Sequence, residues 1–268
     1  MADGWYSMAY AEVGGLRMYY EEHGRADGPP LVLLHGFFGT GAVWERQIGA
    51  FGDRYRLLVP DLRGHGRTDN PGGLAAMNHR QFARDVVGLC RARGIERAAF
   101  CGHSTGAMLL LTLGLEAPAL AGALVLAGGT YFYGPDLRAW WAGQTPESLV
   151  PDPTEARATH TALGPEHWRT VAEAFIVLGR HAHTDDFPEE SALPGLAAPA
   201  LIVHGDRDHF FPVQVPTDLY GYLPDAELCI LPRTDHGPPA ERPEWFNAIV
   251  RDFLARRYDG EDQGEPAR

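Results

Sequence analysis

The sequence contains no lysine, so all 23 of its cationic Lys/Arg positions are arginines. This absence excludes a Schiff-base lysine, a lysine-anchored pyridoxal cofactor and a phosphate-binding loop that ends in Gly-Lys-Ser. The 35 acidic residues give a formal net charge of −12. Nonspecific binding to nucleic acid or to an anionic membrane needs a basic surface. We therefore expect a small-molecule substrate, with neither a nucleic acid nor a membrane as partner, while the composition leaves the oligomeric state open.

Cysteine is scarce as well, and long apolar runs are missing. The three cysteines, Cys90, Cys101 and Cys229, lack CxxC spacing, which argues against a disulfide framework and against a cysteine-rich zinc site. No apolar run reaches the roughly 18 residues that a membrane-spanning helix needs. The first residues, MADGWYSMAYAEVGG, do not follow the pattern of a signal peptide. These features predict a soluble, cytoplasmic protein.

Segments typical of strands alternate with segments typical of helices along most of the chain. Helical periodicity follows the Asn78–Gln81 capping box, and it returns from Pro243 onward. An alternation of this kind predicts an α/β fold with a mostly parallel, doubly wound sheet. The apolar runs predict strands at 6–13, 16–20, 31–34, 55–59, 98–101, 123–126, 200–203 and 228–231.

The alternation stops between residues 131 and 194, where the pattern becomes helical. The clearest helix follows Pro165, has Trp168 and Phe175 on one face, and is predicted to end at Gly179. From residue 257 the chain is polar and acidic. We therefore predict a core built from residues 1–130 and 195–268, a helical insertion at 131–194 and a flexible tail at 257–268.

A serine stands between two glycines in the segment FCGHSTG, residues 100–106. The run before it is typical of a strand and the run after it of a helix, so Ser104 lies at a sharp turn between them. In this setting Gly-x-Ser-x-Gly is a nucleophile elbow, in which Gly102 and Gly106 permit the strained backbone that projects the serine outward. A hydroxyl is a weak nucleophile, so it needs a base, a group that orients the base, and oxyanion donors.

Four further segments, each following a predicted strand, resemble motifs of the α/β-hydrolase fold family and occur in the same chain order. The resemblance covers nearly the whole chain apart from the insertion and the tail. It implies an eight-stranded, mostly parallel, doubly wound sheet with the insertion as a helical cap. The four segments are HGFFG at 35–39, DLRGHG at 61–66, GDRDHFFP at 205–212 and DHG at 235–237.

The resemblance also implies a role for each reacting group. Ser104 corresponds to the nucleophile, His236 to the base, and Asp208 to the acid that orients the base. The backbone N–H groups of Phe37 and Thr105 correspond to the donors of the oxyanion hole. The implied reaction is attack of the serine on a carbonyl carbon, followed by hydrolysis of the acyl-enzyme.

Two carboxylates compete for the role of the acid. The family pattern puts the acid four residues before a proline, here Pro212, which favours Asp208 and leaves Asp206 as a turn residue. The chain departs from the commonest pattern at Ala107 and Asp235, two positions where glycine is frequent. We expect the Asp235 carboxylate to face water, whereas an approach to the imidazole would raise the pKa of the base.

Several other histidines and acidic residues are interpreted as structural rather than as catalytic or metal-binding. The segment from His181 to Asp186 contains two histidines and two aspartates but lacks the HExxH spacing of a helical zinc site. We therefore expect no metal and no cofactor. His103, the residue before Ser104, is predicted to point away from the site. The histidines interpreted as structural are His65, His79, His103 and His204.

Aromatic side chains in the insertion and beside the oxyanion segment predict an apolar substrate site. The arginines of the insertion would suit a substrate carboxylate, but solvated surface is the default for such residues. The pattern predicts a small or medium hydrophobic ester or lactone. The predicted substrate contacts are His35, Phe37, Phe38, Tyr131, Phe132, Tyr133, Trp140, Trp141, Trp168 and Phe175, and the arginines are Arg138, Arg157, Arg169 and Arg180.

Other reactions remain open because the same triad also serves the hydrolysis of C–C bonds and thioesters and perhydrolysis. In a cofactor-independent lyase or oxygenase, His236 and Asp208 would act as a base dyad and Ser104 would only bind the substrate. A third alternative is a ligand-binding protein without turnover. An aspartate is the nucleophile of the dehalogenase and epoxide hydrolase branches, so Ser104 argues against both of them.

Overall fold

The computed structural model describes residues 5–181 and 187–260, whose strands form one eight-stranded sheet. The strands are β1 (Trp5–Val13), β2 (Leu16–Gly24), β3 (Pro30–Leu34), β4 (Arg56–Pro60), β5 (Ala98–His103), β6 (Ala121–Ala127), β7 (Ala200–Gly205) and β8 (Ala226–Leu231). Their spatial order is β1-β2-β4-β3-β5-β6-β7-β8. The β1–β2 and β2–β4 pairs are antiparallel, and all later neighbours are parallel. The predicted sheet is confirmed.

Helices cover both faces of this sheet. In the described part of the chain they are α1 (Glu45–Phe51), α2 (His79–Ala92), α3 (Thr105–Glu116), α4 (Pro135–Ala142), α5 (Pro146–Leu149), α6 (Thr154–His160), α7 (His167–His181), α8 (Gln214–Tyr222), α9 (Pro238–Glu241) and α10 (Pro243–Arg257). Within residues 5–181 and 187–260, no helix is long and apolar enough to cross a lipid bilayer.

The inner strands are apolar at successive positions because each face of the sheet is buried against helices. Leu31 and Leu33 of β3 belong to the core cluster that contains residues of α1 and α10. Val32 and Leu34 belong to the opposite cluster, with residues of α2 and α3. Successive side chains of a strand thus pack into two separate hydrophobic cores, one on each face of the sheet. The carboxyl ends of the parallel strands lie at one edge of the sheet.

The start of α2 has only half of the predicted capping box. The Asn78 Oδ1 atom accepts the Gln81 N–H at 2.8 Å, as expected for an N-cap. The Gln81 side chain, however, donates to Asp85 Oδ1 at 2.9 Å instead of turning back to the cap. The same Asp85 carboxylate accepts two hydrogen bonds of 2.7 Å from Arg63 in a buried ion pair.

The insertion between β6 and β7 contains α4 to α7, and α7 is longer than predicted. It continues through Gly179 to His181, so the predicted stop at Gly179 is wrong. The reason for the glycine is packing: a Cβ at this position would overlap the indole ring of Trp141 on α4. Gly179 therefore allows α4 and α7 to approach each other closely.

The predicted flexible tail begins too early. The Tyr258 hydroxyl donates to the Pro30 carbonyl at 3.1 Å, and Asp259 accepts a hydrogen bond from the Tyr55 hydroxyl at 2.7 Å. Arg54 forms an ion pair with the same carboxylate at 2.8 Å. These contacts attach residues 258 and 259 to the core, while residues 261–268 lie outside the described part of the chain.

Candidate active site

Ser104 lies in the turn between β5 and α3, with φ 52° and ψ −117°. This left-handed conformation is strained for a residue with a side chain, and such strain persists only when the surroundings enforce it. A Cβ on Gly102 would overlap the Gly106 backbone, and a Cβ on Gly106 would overlap the Leu34 carbonyl. The two glycines are therefore required by the close crossing of strand and helix, which supports the predicted elbow geometry.

Three side chains from the ends of different strands form a continuous hydrogen-bonded series. The Ser104 hydroxyl lies 3.0 Å from His236 Nε2, and His236 Nδ1 lies 2.9 Å from Asp208 Oδ2. Asp206 is turned elsewhere, because its Oδ1 accepts the Thr234 N–H at 3.2 Å. Of the two competing carboxylates, Asp208 is the one in contact with the imidazole.

The Asp208 carboxylate is buried, and both of its oxygens have hydrogen-bond partners. Its Oδ1 accepts the backbone N–H groups of Phe210 at 2.8 Å and Phe211 at 3.0 Å, and its Oδ2 faces His236. Burial alone would raise the pKa of Asp208, but the hydrogen bond and charge of His236, the Phe211 N–H and nearby His204 together lower it. The acid is therefore held as a carboxylate that can accept from His236 Nδ1.

A second imidazole lies beside the same carboxylate oxygen. His204 is buried, its Nε2–H donates to the Phe211 carbonyl at 2.8 Å, and the same nitrogen is 3.3 Å from Asp208 Oδ2. Burial lowers the pKa of His204 against the opposing effects of that carbonyl and of the Asp208 charge. This histidine, predicted to be structural, is a neutral neighbour of the acid and fixes the Phe211 carbonyl of the acid loop.

His103 does not point away from the site as predicted. Its Nε2–H donates to the backbone carbonyl of His236 at 2.9 Å, and the two imidazole rings are 5.2 Å apart. Burial and the neighbouring His236 charge lower the pKa of His103 to about 4, despite the hydrogen bond to that carbonyl. A neutral His103 thus anchors the loop that carries His236.

Asp235 links the loop of the acid to the loop of the base. Its Oδ1 accepts the His209 backbone N–H at 3.0 Å, the His209 ring N–H at 2.6 Å and the His236 backbone N–H at 2.8 Å. The hydrogen bond from the His209 ring is the main reason that the pKa of Asp235 is lowered. The Asp235 side chain is 48% exposed, as expected of a carboxylate that faces water, and it also binds backbone amides of both loops.

The backbone N–H groups of Phe37 and Thr105 make no hydrogen bond to any described residue. Thr105 begins α3, where the first N–H groups have no partner within the helix and favour negative charge. Gly36 brings the Phe37 segment to the serine, because a Cβ on Gly36 would be 3.0 Å from Ser104 Cβ. Both predicted oxyanion donors thus belong to segments that border the serine.

The DLRGHG segment supports the backbone near the site. The Asp61 Oδ1 atom accepts the Gly41 N–H at 2.8 Å, and its Oδ2 accepts the Arg67 N–H at 3.0 Å. Gly66 adopts φ 53°, and a Cβ there would overlap the Asp61 carboxylate. His65 is buried, and its Nδ1 lies 3.0 Å from the Arg63 carbonyl. These contacts agree with the structural role expected from the sequence.

A cavity of about 170 Å³ opens beside Ser104. The sheet side contributes Phe37, Phe38, Met108, Phe210 and Phe211 to its wall, along with His103 and His236. The insertion contributes Tyr133, Leu137, Trp141 and Phe175. Phe37 stacks on Phe175 with ring centroids 4.4 Å apart and an interplanar angle of 10°, which joins the two sides.

Five of the predicted substrate contacts lie away from this wall. His35 is buried behind it, where its Nε2 accepts the Leu62 N–H at 2.9 Å and its Nδ1–H donates to the Gly36 carbonyl. Tyr131 packs on Tyr222, with ring centroids 5.5 Å apart, and Phe132 is 42% exposed. The other two are on α4 and α7: Trp140 is 45% exposed, and Trp168 donates to Glu166. The predictions that these five residues contact the substrate are therefore corrected.

Sequence reasoning missed several wall residues, and part of the signal was available. Met108 stands four residues after Ser104 and Leu137 four residues before Trp141, so each pair shares one helix face. Nothing in the local pattern distinguished Phe210 and Phe211 from other loop residues, because their position follows from the packing of the acid loop.

The arginines of the insertion form hydrogen bonds and ion pairs with residues of the insertion, and none of them belongs to the wall of the cavity. Arg138 donates to a backbone carbonyl just before α4, and Arg180 donates to carbonyls at the end of α4. Arg157 and Arg169 both pair with Glu166. The possible metal-ligand segment at 181–186 lies outside the described side chains, and the described residues contain no group of three potential metal ligands.

Comparison with known proteins assigns the chain to a family. Residues 31–249 match the Alpha/beta hydrolase family. The chain belongs to this family. The hydrolase is 30% identical over 88% of its own length, and 98% of the relative's, to "Putative carbamate hydrolase RutD" of Agrobacterium fabrum. It is 28% identical to a 2-hydroxy-6-oxononadienedioate/2-hydroxy-6-oxononatrienedioate hydrolase of Burkholderia vietnamiensis, over 90% of this chain and 92% of that protein.

A solved structure agrees with this assignment. The enol-lactonase of Burkholderia xenovorans LB400 matches the hydrolase with a TM-score of 0.76 at 24% identity, covering 91% of this chain and 99% of that chain. This similarity demonstrates the shared fold. The resemblance inferred from the motifs is thus confirmed, and the protein is an enzyme of the α/β-hydrolase type.

Proposed function

We propose that this enzyme is a serine hydrolase that cleaves a small to medium hydrophobic carboxylic ester or lactone. Ser104 acts as the nucleophile, His236 as the base and Asp208 as the acid of a catalytic triad. The observation that carries the proposal is the hydrogen-bonded series from the Ser104 hydroxyl through the imidazole to Asp208, with distances of 3.0 and 2.9 Å.

In the proposed reaction, His236 Nε2 accepts the hydroxyl proton as Ser104 Oγ attacks the carbonyl carbon. The Asp208 carboxylate keeps the proton on Nδ1 and stabilises the imidazolium that forms. His236 then donates the proton to the departing alcohol, which leaves an acyl group on the serine. A water molecule, deprotonated by the same imidazole, hydrolyses this ester and restores the serine.

The oxyanion of each tetrahedral intermediate would accept hydrogen bonds from the backbone N–H groups of Phe37 and Thr105. The absence of other described partners for these two groups supports this role. Because backbone donors at a helix N-terminus are already oriented, they need no rearrangement when negative charge develops.

The substrate class follows from the wall of the cavity. Its described side chains are mainly aromatic and aliphatic, and part of them come from the insertion. We propose that residues 131–194 form a cap on a core built from residues 1–130 and 195–268, and that the enzyme acts in the cytoplasm. Relatives named for a carbamate, for an enol lactone and for an oxo-dienedioate are consistent with attack on an activated carbonyl.

A fluorophosphonate probe followed by intact mass measurement tests the nucleophile. We expect stoichiometric labelling of the wild-type enzyme and none of Ser104→Ala. Turnover of p-nitrophenyl esters and lactones by Ser104→Ala should fall by about 10⁶-fold, as for other triads. The same assays on thioesters and on C–C substrates would rank the alternative reactions.

Two outcomes would overturn the proposal in different directions. Activity that survives in Ser104→Ala but disappears in His236→Ala would identify a base dyad and a lyase or oxygenase reaction. Tight ligand binding without labelling or turnover in the folded wild-type protein would identify a binding protein.

A further inference from the structure

Residues 36–39 of the HGFFG segment form a tight turn with a strained residue in it. The Gly39 N–H donates to the Gly36 carbonyl at 3.0 Å, so Phe37 and Phe38 are the two central residues of the turn. Phe38 has φ 64°. Glycine is the usual residue at a turn position with positive φ, because a bulky side chain makes this conformation unfavourable. Such strain persists only where the surroundings hold the residue in place.

One side chain of the insertion contacts both rings of the turn. Phe175 of α7 stacks on Phe37, with centroids 4.4 Å apart and an interplanar angle of 10°. It also meets the Phe38 ring edge to face, at 5.7 Å and 78°. Stacked and edge-to-face pairs of aromatic rings favour their mutual geometry beyond the burial of apolar area. We call these three rings the aromatic clamp.

The insertion supports Phe175 from its other side. The Trp141 ring on α4 meets Phe175 with centroids 4.4 Å apart, and Trp141 is 2% exposed. The indole packs so closely on α7 that a Cβ at Gly179 would overlap it. The position of Phe175 is therefore set by the packing of α4 against α7.

The same turn carries the Phe37 N–H, the donor proposed for the oxyanion. Gly36 lies so close to the nucleophile that a Cβ there would be 3.0 Å from Ser104 Cβ. A change in the turn therefore moves the Phe37 N–H relative to the reacting serine. Misplacement of a reacting group by about 1 Å can lower a rate by about 10²-fold.

We infer that Phe175 is a positioning residue: through the aromatic clamp it holds the strained turn, and with it the Phe37 N–H, in the geometry that stabilises the oxyanion. The oxyanion hole is then completed by the insertion, and the α/β core alone does not suffice. This inference rests on the proposed function, because it concerns the donor that the proposal assigns to Phe37.

Phe175→Leu tests the inference, because leucine keeps an apolar side chain and removes the flat ring. Turnover of p-nitrophenyl acetate and p-nitrophenyl hexanoate separates positioning from substrate contact, since an acetyl group is too small to fill a cavity of about 170 Å³. We expect kcat to fall about 10- to 100-fold for both esters, with KM within about twofold of wild type. The rate of fluorophosphonate labelling should fall by a similar factor, because the phosphoryl oxygen of the probe uses the same donors.

Phe187→Leu is the matched control. Phe187 is also a buried phenylalanine of the insertion, but its ring packs on His79 and Tyr133 and it does not belong to the wall of the cavity. The same substitution there should leave kcat, KM and the labelling rate close to the wild-type values.

Hydrogen exchange follows the turn without any need for catalysis. The Gly39 amide, which closes the turn, should exchange about tenfold faster in Phe175→Leu than in the wild-type enzyme, as expected for the loss of one or two aromatic contacts. The Gly41 amide, which donates to Asp61 Oδ1, should exchange at the wild-type rate in both proteins. If Phe175→Leu does not fold, Phe175→Met, with a flexible side chain of similar volume, takes its place with the same expectations.

Two results would overturn the inference. Loss of hexanoate turnover alone, with acetate turnover and labelling unchanged, would make Phe175 a substrate contact and not a positioning residue. An unchanged exchange rate at Gly39 would show that the clamp does not hold the turn. Absence of labelling and of turnover in the wild-type protein would instead overturn the proposed function, and exchange at Gly39 would still decide whether Phe175 holds the turn.

Discussion

Replacing Asp208 by asparagine tests how His236 is held. The Asp208 Oδ1 atom accepts two backbone N–H groups, from Phe210 and Phe211, so the amide oxygen of the variant must occupy that position. The amide NH₂ then replaces Oδ2 and donates to His236 Nδ1, which can accept only when the ring proton is on Nε2. The imidazole then presents an N–H to Ser104 and cannot remove the hydroxyl proton.

The expected loss in kcat is about 10⁴-fold, the effect of the wrong tautomer in a serine triad. This corresponds to about 5.5 kcal/mol in the activation free energy. Turnover of a short p-nitrophenyl ester and the rate of fluorophosphonate labelling should fall together. The thermal midpoint should change little, because the variant keeps the hydrogen bonds to both backbone amides.

Asp206→Asn is the matched control for this prediction. Asp206 lies two residues away in the same loop and accepts the Thr234 N–H instead of contacting the imidazole. Its variant should retain nearly wild-type turnover. If Asp208→Asn kept its kcat within about tenfold of wild type, or if Asp206→Asn lost more activity than Asp208→Asn, the reasoning would be refuted.

Packing and pH lead to two further predictions. Gly179→Ala should lower the free energy of unfolding by about 1–3 kcal/mol and alter the acyl-chain preference, because a methyl group would overlap Trp141. Gly49→Ala, with open space around its helix position, should leave that preference unchanged, and equal effects of the two variants in urea unfolding would contradict the packing argument. Burial lowers the pKa of His79 from 6.5 to about 3, so only the unfolded chain takes up a proton between these values. Stability should therefore fall by about 1.4 kcal/mol per pH unit from this residue as the pH drops below 6.5. His79→Phe should remove that contribution from urea unfolding measured from pH 6.5 to 5, and an unchanged slope would count against it.

The reacting groups could be predicted because each stands in a short local pattern. Ser104 is marked by Gly102, where a Cβ would overlap the backbone of the same turn, and by Gly106, where a Cβ would overlap the end of β3. Asp208 is marked by its spacing from Pro212 in a loop directly after a buried strand. The spacing of these residues along the chain is local, so it is visible without knowledge of the packing.

The wall of the cavity could not be predicted residue by residue. Trp140 and Trp141 are adjacent and chemically identical, yet one is 45% exposed and the other 2%. Successive residues of a helix point about 100° apart, so the orientation of α4 on α7 decides which ring enters the wall. His103 is a similar case, because its partner, the His236 carbonyl, lies 133 residues away in sequence.

By itself, the sequence determined the alternation of strands and helices, the loops that follow the strands and the side chains able to react. Apolar periodicity and short glycine-containing turns involve only a few neighbouring residues, so they can be recognised in the sequence alone. Only the tertiary structure decided that Ser104, His236 and Asp208 lie within hydrogen-bond distance and that His204 is buried beside the acid. It also decided that Trp141, and not its neighbour Trp140, lines the cavity, because these contacts depend on how distant segments pack.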